Sequence, residues 1–239
     1  MAALRVLGFL MAVVVLASCT FPMGVVGSGH TVTVEKDFTD FTKVSVGSAF
    51  AVNITPSDTY KVTITVDDNL EKHLDVAVTG DTLRIGFKPG VSLNLRGDTL
   101  RVEIAMPRLE GLELSGASRG TITGFRSGAR LALELSGAST LGGDIQAGDV
   151  QWQLSGASKA TLKGSGGAMR LEASGASRAD LAEFATKDTE VDVSGASSAT
   201  VNVDGKLDVN ASGASRVRYT GSPSLGRIDV SGASTVRQR

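Results

Sequence analysis

The tetrapeptide Ser-Gly-Ala-Ser recurs seven times in this chain, beginning at Ser115, Ser136, Ser155, Ser174, Ser194, Ser212 and Ser231. Successive copies are 21, 19, 19, 20, 18 and 19 residues apart. A steady period of this length is the mark of a solenoid, in which each repeat is one coil stacked on the last. Few other folds can accommodate such a sequence.

Aligning the copies on their first serine produces columns. Three residues earlier stand Leu112, Leu133, Trp152, Leu171, Val191, Val209 and Ile228. Immediately before it stand Leu114, Leu135, Leu154, Ala173, Val193, Ala211 and Val230. Between these apolar columns lies a polar one: Glu113, Glu134, Gln153, Glu172, Asp192, Asn210, Asp229. Apolar-polar-apolar alternation is the period of a half-buried strand. It resumes after the tetrapeptide, where the polar column Arg119, Thr140, Lys159, Arg178, Ser198, Arg216, Thr235 precedes Gly120, Leu141, Ala160, Ala179, Ala199, Val217 and Val236. Each coil therefore reads as strand, tetrapeptide, strand, then a looser stretch with turn residues such as Gly142-Gly143 and Asp204-Gly205. Helices are excluded by the absence of three- and four-residue apolar spacing.

The expected fold is all-β: a β-solenoid (β-helix) with coils of about 19 residues. Gly suits a corner, Ala a crowded stack, and Ser hydroxyls can bond backbone groups freed by a bend. Apolar parity is the same on both sides of the tetrapeptide, so a flat strand running through it is the alternative. Residues 31–108 also alternate, in less regular and longer strands. Gly47-Ser48-Ala49-Phe50 looks like a degenerate copy of the tetrapeptide, and residues 68–74 read as one short helical turn. This half is expected to begin the same solenoid and to cap its open end, since an uncovered end coil templates aggregation. Residues 109–239 form the regular solenoid.

The opening residues carry a different message. Arg5 and the apolar run from Val6 to Leu16 form a signal-peptide core too short to span a bilayer. It ends in Leu16-Ala17-Ser18-Cys19, which resembles the lipobox of bacterial lipoproteins. That resemblance implies cleavage after residue 18 and acylation of Cys19, giving a membrane-anchored exported protein on a short tether, residues 19–30. An ordinary secretory signal is the rival. Thr20, rather than Asp, points to the outer membrane if the cell has two. Cys19 is the chain's only cysteine, which excludes an intrachain disulfide.

Removing the leader leaves 23 basic and 25 acidic residues, with no basic run, so nucleic acid is not an expected partner. The chain further resembles a known family. The carrying residues are Phe38 and Phe41, Val44 to Ile54, Val66-Asp67-Asp68-Asn69-Leu70, Leu83-Arg84-Ile85, and Val102 to Pro107 leading into Leu112 to Ser118. Together, over roughly residues 35–235, they look like the putative auto-transporter adhesin head GIN domain. The resemblance implies a β-helix-like solenoid, export and often lipidation, and no catalytic residues.

No catalytic residue, metal site or cofactor motif is expected. His30 and His73 lack partners nearby in sequence, and no Gly-x-Ser-x-Gly or HExxH occurs. The candidate site is a ladder on a rigid rod: acids Glu113, Glu134, Glu172, Asp192 and Asp229 with bases Arg119, Lys159, Arg178 and Arg216. Its bland alternative is a solvated face whose like charges are interrupted to limit repulsion. Acid pairs on adjacent coils leave acid–base chemistry or a weak Ca²⁺ site as a further alternative. Trp152 is expected in the core; it would be a sugar platform only if its column faced outward. The expected function is a lipid-anchored, non-enzymatic adhesion or interaction module for a surface glycan or envelope protein. The alternatives are an envelope protein self-associating through its coil ends and a carbohydrate-active enzyme.

Overall fold

The computed structural model describes residues 24–94 and 99–239, so Cys19 and the leader lie outside the described residues. The chain winds as stacked coils whose strands form two large sheets. In each regular coil the strand before the tetrapeptide joins a ten-stranded sheet and the strand after it joins an eleven-stranded sheet. Met169–Ala173, for example, belongs to the first and Arg178–Thr186 to the second. The tetrapeptide is thus a corner, and the flat-strand alternative falls. Neighbouring coils pair parallel and in register: Leu133 opposes Leu112 and Trp152, and Trp152 opposes Leu171.

The corner has a physical logic. From Ser136 upward only its glycine has positive φ, from 67° to 78°, the sign pattern of a type II′ turn. From Ala157 upward the alanine N–H donates to the glycine carbonyl one coil below, as from Ala176 to Gly156 at 2.8 Å. A Cβ on Gly175 would lie 2.5 Å from that same Gly156 oxygen, so both φ and the stack demand glycine. The fourth residue turns inward. Ser158 is buried and its hydroxyl donates to the Ser155 carbonyl at 2.6 Å. Ala, expected where coils crowd, is instead exposed, and its backbone N–H rather than its methyl does the stacking.

Both apolar columns of each strand pair face one continuous core that runs the length of the rod. Trp152, with no exposed surface, lies within it, which removes the sugar-platform reading. Thr186 and Thr189 are also buried, satisfied by a 2.9 Å contact between their hydroxyls and by a bond to the Asn202 carbonyl.

The first half does not stack in chain order. Lys43–Val46 pairs with Gly111–Leu114 on one side and with Thr82–Phe87 on the other. Ala51–Pro56 lies likewise between Arg119–Arg126 and Arg101–Met106. The coil of residues 43–56 is therefore sandwiched between a coil that follows it in sequence and the first regular coil. Its corner at Gly47-Ser48-Ala49-Phe50 is a true counterpart of the tetrapeptide, with Phe50 buried where Ser stands elsewhere.

Below this the sheets end in antiparallel strands. Lys61–Asp67 and then Thr31–Lys36 extend one sheet, and Leu74–Thr79 extends the other. The short helical turn is a single 3₁₀ turn, Glu71–His73. Residues 25–30, within the segment expected to be a loose tether, are tied down. Val25–Val26 pairs with Leu93–Asn94, and Ser28 donates to Asp68 at 2.5 Å.

Candidate functional site

The corner decides where the candidate ladder goes. Glu113, Glu134, Gln153, Glu172, Asp192, Asn210 and Asp229 form one unbroken row, each opposite the next, on the outer face of the ten-stranded sheet. Arg119, Thr140, Lys159, Arg178, Ser198, Arg216 and Thr235 form a second row on the eleven-stranded sheet. The expected single ladder of acids and bases is therefore two ladders on two sheets. Both columns point outward, but the chain changes sheet between them.

The acidic row is not uniform. In its upper part, arginines of the neighbouring column pair with two of its acids, Glu172 and Asp229. Arg170 bonds Glu172 at 2.9 Å and also Glu190. The Arg170 guanidinium is held above its ordinary range by Glu172 first and Glu190 second. Within the neighbouring column itself, Asp208 pairs with Lys206 at 2.8 Å, raising the lysine and lowering the aspartate. Arg227 bonds Asp229, and Asp192 accepts from Asn210 at 3.4 Å.

Lower down, the neighbouring column holds the uncharged Gly111, Ala132 and Gln151, where higher coils carry Arg170, Glu190 and Asp208. Glu113 there accepts only a serine hydroxyl, from Ser45 at 2.8 Å. Glu134 has no hydrogen-bonding or ion-pair partner among the described residues, and it directly opposes Glu113. The small residues leave a shallow depression of about 250 Å³, walled by Lys43, Glu113, Glu134, Gln151 and Gln153. A second depression, of about 370 Å³, continues from Glu134 and Gln153 past Ser155, Glu172 and Asp192. The two share Glu134 and Gln153, so the face carries one groove along the rod, with an apolar floor below and a polar lining above.

Its carboxylates and amides recur at the coil spacing of about 4.8 Å. Such groups offer paired acceptors and donors to hydroxyl-bearing ligands. Lys43 and Ser45 were invisible as groove residues from sequence, because they reach it only through the out-of-order coil. Gln151 stood in an unremarkable column and gave no signal. Among the described residues no group of three or more His, Asp or Glu is arranged to hold a metal ion. His30 and His73 lie at the capped end, away from the groove. No helix among the described residues is long and apolar enough to cross a membrane.

The fold and groove define a parallel β-solenoid with an extended polar face. The chain belongs to the family described as putative auto-transporter adhesin, head GIN domain, which matches residues 40–223. Solved structures share the fold at low identity. A putative adhesin from Bacteroides fragilis is 20% identical, with a TM-score of 0.79 over 90% of this chain and 100% of that one. A putative adhesin from Parabacteroides merdae is 18% identical, with a TM-score of 0.69 over 90% and 99% of the two chains. A putative lipid binding protein from Parabacteroides distasonis is 17% identical, with a TM-score of 0.66 over 90% and 99%. Among curated proteins, none matches this chain.

Proposed function

We propose that this chain is a non-enzymatic, adhesin-like module of the cell envelope, anchored through lipid on Cys19, that binds a hydroxyl-rich glycan along the groove of the ten-stranded sheet. The carrying observation is the lower groove. There Glu134 is free of cations, faces Glu113 and adjoins Gln151 and Gln153 over a floor opened by Gly111 and Ala132. A rigid, hydrogen-bonded sheet holds these groups in place before a ligand arrives, which reduces the ordering cost of binding. Family membership and the lipobox-like Leu16-Ala17-Ser18-Cys19 support display at a surface.

A glycan array tests the reading. Glu134→Lys should weaken binding at least tenfold while leaving the thermal midpoint nearly unchanged, because the side chain is exposed. Undiminished binding by this variant, or an array with no ligand, contradicts it; release of reducing ends from a polysaccharide would establish an enzyme instead. Cys19→Ser should abolish membrane partitioning, and unchanged partitioning refutes the anchor.

One observation favours a second reading, end-to-end self-association. The last strand of the ten-stranded sheet, Ser224–Val230, exposes Leu225 and Val230 at its uncovered edge. Sedimentation that remains monomeric at millimolar concentration would remove it.

A further inference from the structure

We propose that the eleven-stranded sheet carries, on its last coils, a second site: an oxyanion surface for the sulfate or phosphate ester groups of an anionic polysaccharide. It is independent of the groove, lying on the other sheet.

The final two strands of this sheet, Arg216–Thr220 and Thr235–Gln238, pair in register. Arg216 therefore opposes Thr235, and Arg218 opposes Arg237. Strand parity turns all four side chains outward, and the three arginines are exposed. Together they wall a depression of about 160 Å³ with no carboxylate in its lining. The strand below adds Ser198 and Thr200 opposite Arg216 and Arg218, both hydroxyl donors. Three guanidiniums and three hydroxyls thus occupy one patch of three coils.

None of these three guanidiniums has a hydrogen bond or ion pair to a described residue. Lower on the same sheet some cations are paired: Arg126 with Asp144 at 3.2 Å and Lys163 with Glu183 at 2.9 Å. Lys159 and Arg178, directly opposed, have no ion pair to a described residue, but only the last coils bring three such guanidiniums together.

Arg218 and Arg237 stand directly opposed on adjacent strands, an arrangement that is unfavourable by itself. A bound anion converts that repulsion into attraction. The planar fork of arginine makes two parallel bonds to a tetrahedral oxyanion, which a lysine patch would not. The depression is open, so a single small anion would be weakly held. A polymer presenting many ester groups gains from repeated contacts and from release of its counterions. This favours a polysaccharide as the source.

The test uses the purified full chain on immobilised dextran sulfate, with unsulfated dextran and polygalacturonate as comparisons. Retention on dextran sulfate alone is expected. Arg216→Gln/Arg218→Gln/Arg237→Gln should lower affinity at least tenfold and flatten its dependence on salt. Lys36→Gln/Lys72→Gln/Arg84→Gln makes the same charge change at the other end of the rod and should bind as the parent does. Glu134→Lys should also bind, which separates this site from the groove. Equal losses in the two triple variants would mean bulk charge and overturn the proposal. Equal retention on polygalacturonate would overturn the ester preference. Displacement by inorganic sulfate as effective, per sulfate group, as displacement by soluble dextran sulfate would assign the site to a free anion and overturn the polymer.

Discussion

Residues 109–239 and residues 31–108 build the same rod by different rules. In the later coils each winding rests on the one before it in sequence, and the corner is almost the same in every coil. In the earlier part the coil of residues 43–56 is laid down first, then covered from below by Thr82–Phe87 and Arg101–Met106 and from above by Gly111–Leu114 and Arg119–Arg126. A solenoid can be extended by local rules, but its end cannot be closed by them. Closing it takes antiparallel strands and a chain that doubles back.

The corners record the change. At Ser48-Ala49 and again at Gly116-Ala117, both middle residues have positive φ, from 61° to 70°, the sign pattern of a type I′ turn. Six higher copies keep positive φ only at glycine. The first tetrapeptide at Ser115 thus shares its sequence with the other copies and its backbone with the degenerate corner beneath it. The sequence of the corner alone therefore does not set its shape.

This comparison can be broken most forcefully at Phe50, which fills the position that serine holds in the other corners. It has no exposed surface and stacks on Phe87 with ring centroids 5.4 Å apart. Phe50→Ser, which gives this corner the final serine of the others, should destabilise the protein by about 3–5 kcal/mol in urea unfolding. A neutral result would mean that the two kinds of corner are interchangeable.

Next in size are the corner glycines. Gly175→Ala combines strained φ, worth about 1–3 kcal/mol, with a Cβ only 2.5 Å from the Gly156 oxygen. Gly116→Ala has the same φ strain, but its Cβ meets the Ser48 nitrogen at 3.1 Å, so it should cost less. The reverse order in urea midpoints would contradict the two turn shapes.

The smallest effect is electrostatic and separates the regions by pH. In the regular coils Asp208 is held below the ordinary carboxylate value by the Lys206 ammonium and then by the Arg227 backbone N–H. At the capped end Asp68 is held below it by the Ser28 hydroxyl and the Asn69 N–H. A lowered folded pKa contributes stability above the unfolded value of about 3.8 that disappears as pH falls through the folded value. Stability should therefore fall below pH 4. Asp208→Asn should flatten that fall more at low salt than at high salt, because the Lys206 pair is exposed and screened.

The sequence made the regular part legible because register follows from period. Glu113 opposite Glu134, and Lys159 opposite Arg178, are direct consequences of the repeat spacing. Whether the tetrapeptide was a corner was not legible, since inward residues keep the same parity through a turn or a flat strand. That ambiguity propagated: acids and bases could be read as one ladder only while the change of sheet between them was hidden. The degenerate corner at Gly47 was recognisable, but its level in the stack was not. Periodicity states what stacks on something and is silent on which neighbour. The same blindness concealed Lys43 and Ser45 as groove residues. The arginine patch was partly visible, with Arg216 in the basic column, but Arg218 and Arg237 join it only once the last two strands are paired.

Coil order is the claim on which groove and cap both depend, and cross-linking reads it directly. Ser45 opposes both Glu113 and Arg84, so it lies between them on one outer face. In a Cys19→Ser background, Ser45→Cys/Glu113→Cys should form a disulfide readily, since directly opposed positions lie within its reach of about 4.4–6.8 Å between Cα atoms. Arg84→Cys/Glu113→Cys, two coils apart at about 9.6 Å, should not. A disulfide between positions 84 and 113, with none between 45 and 113, would show that the coils stack in chain order and would contradict the account.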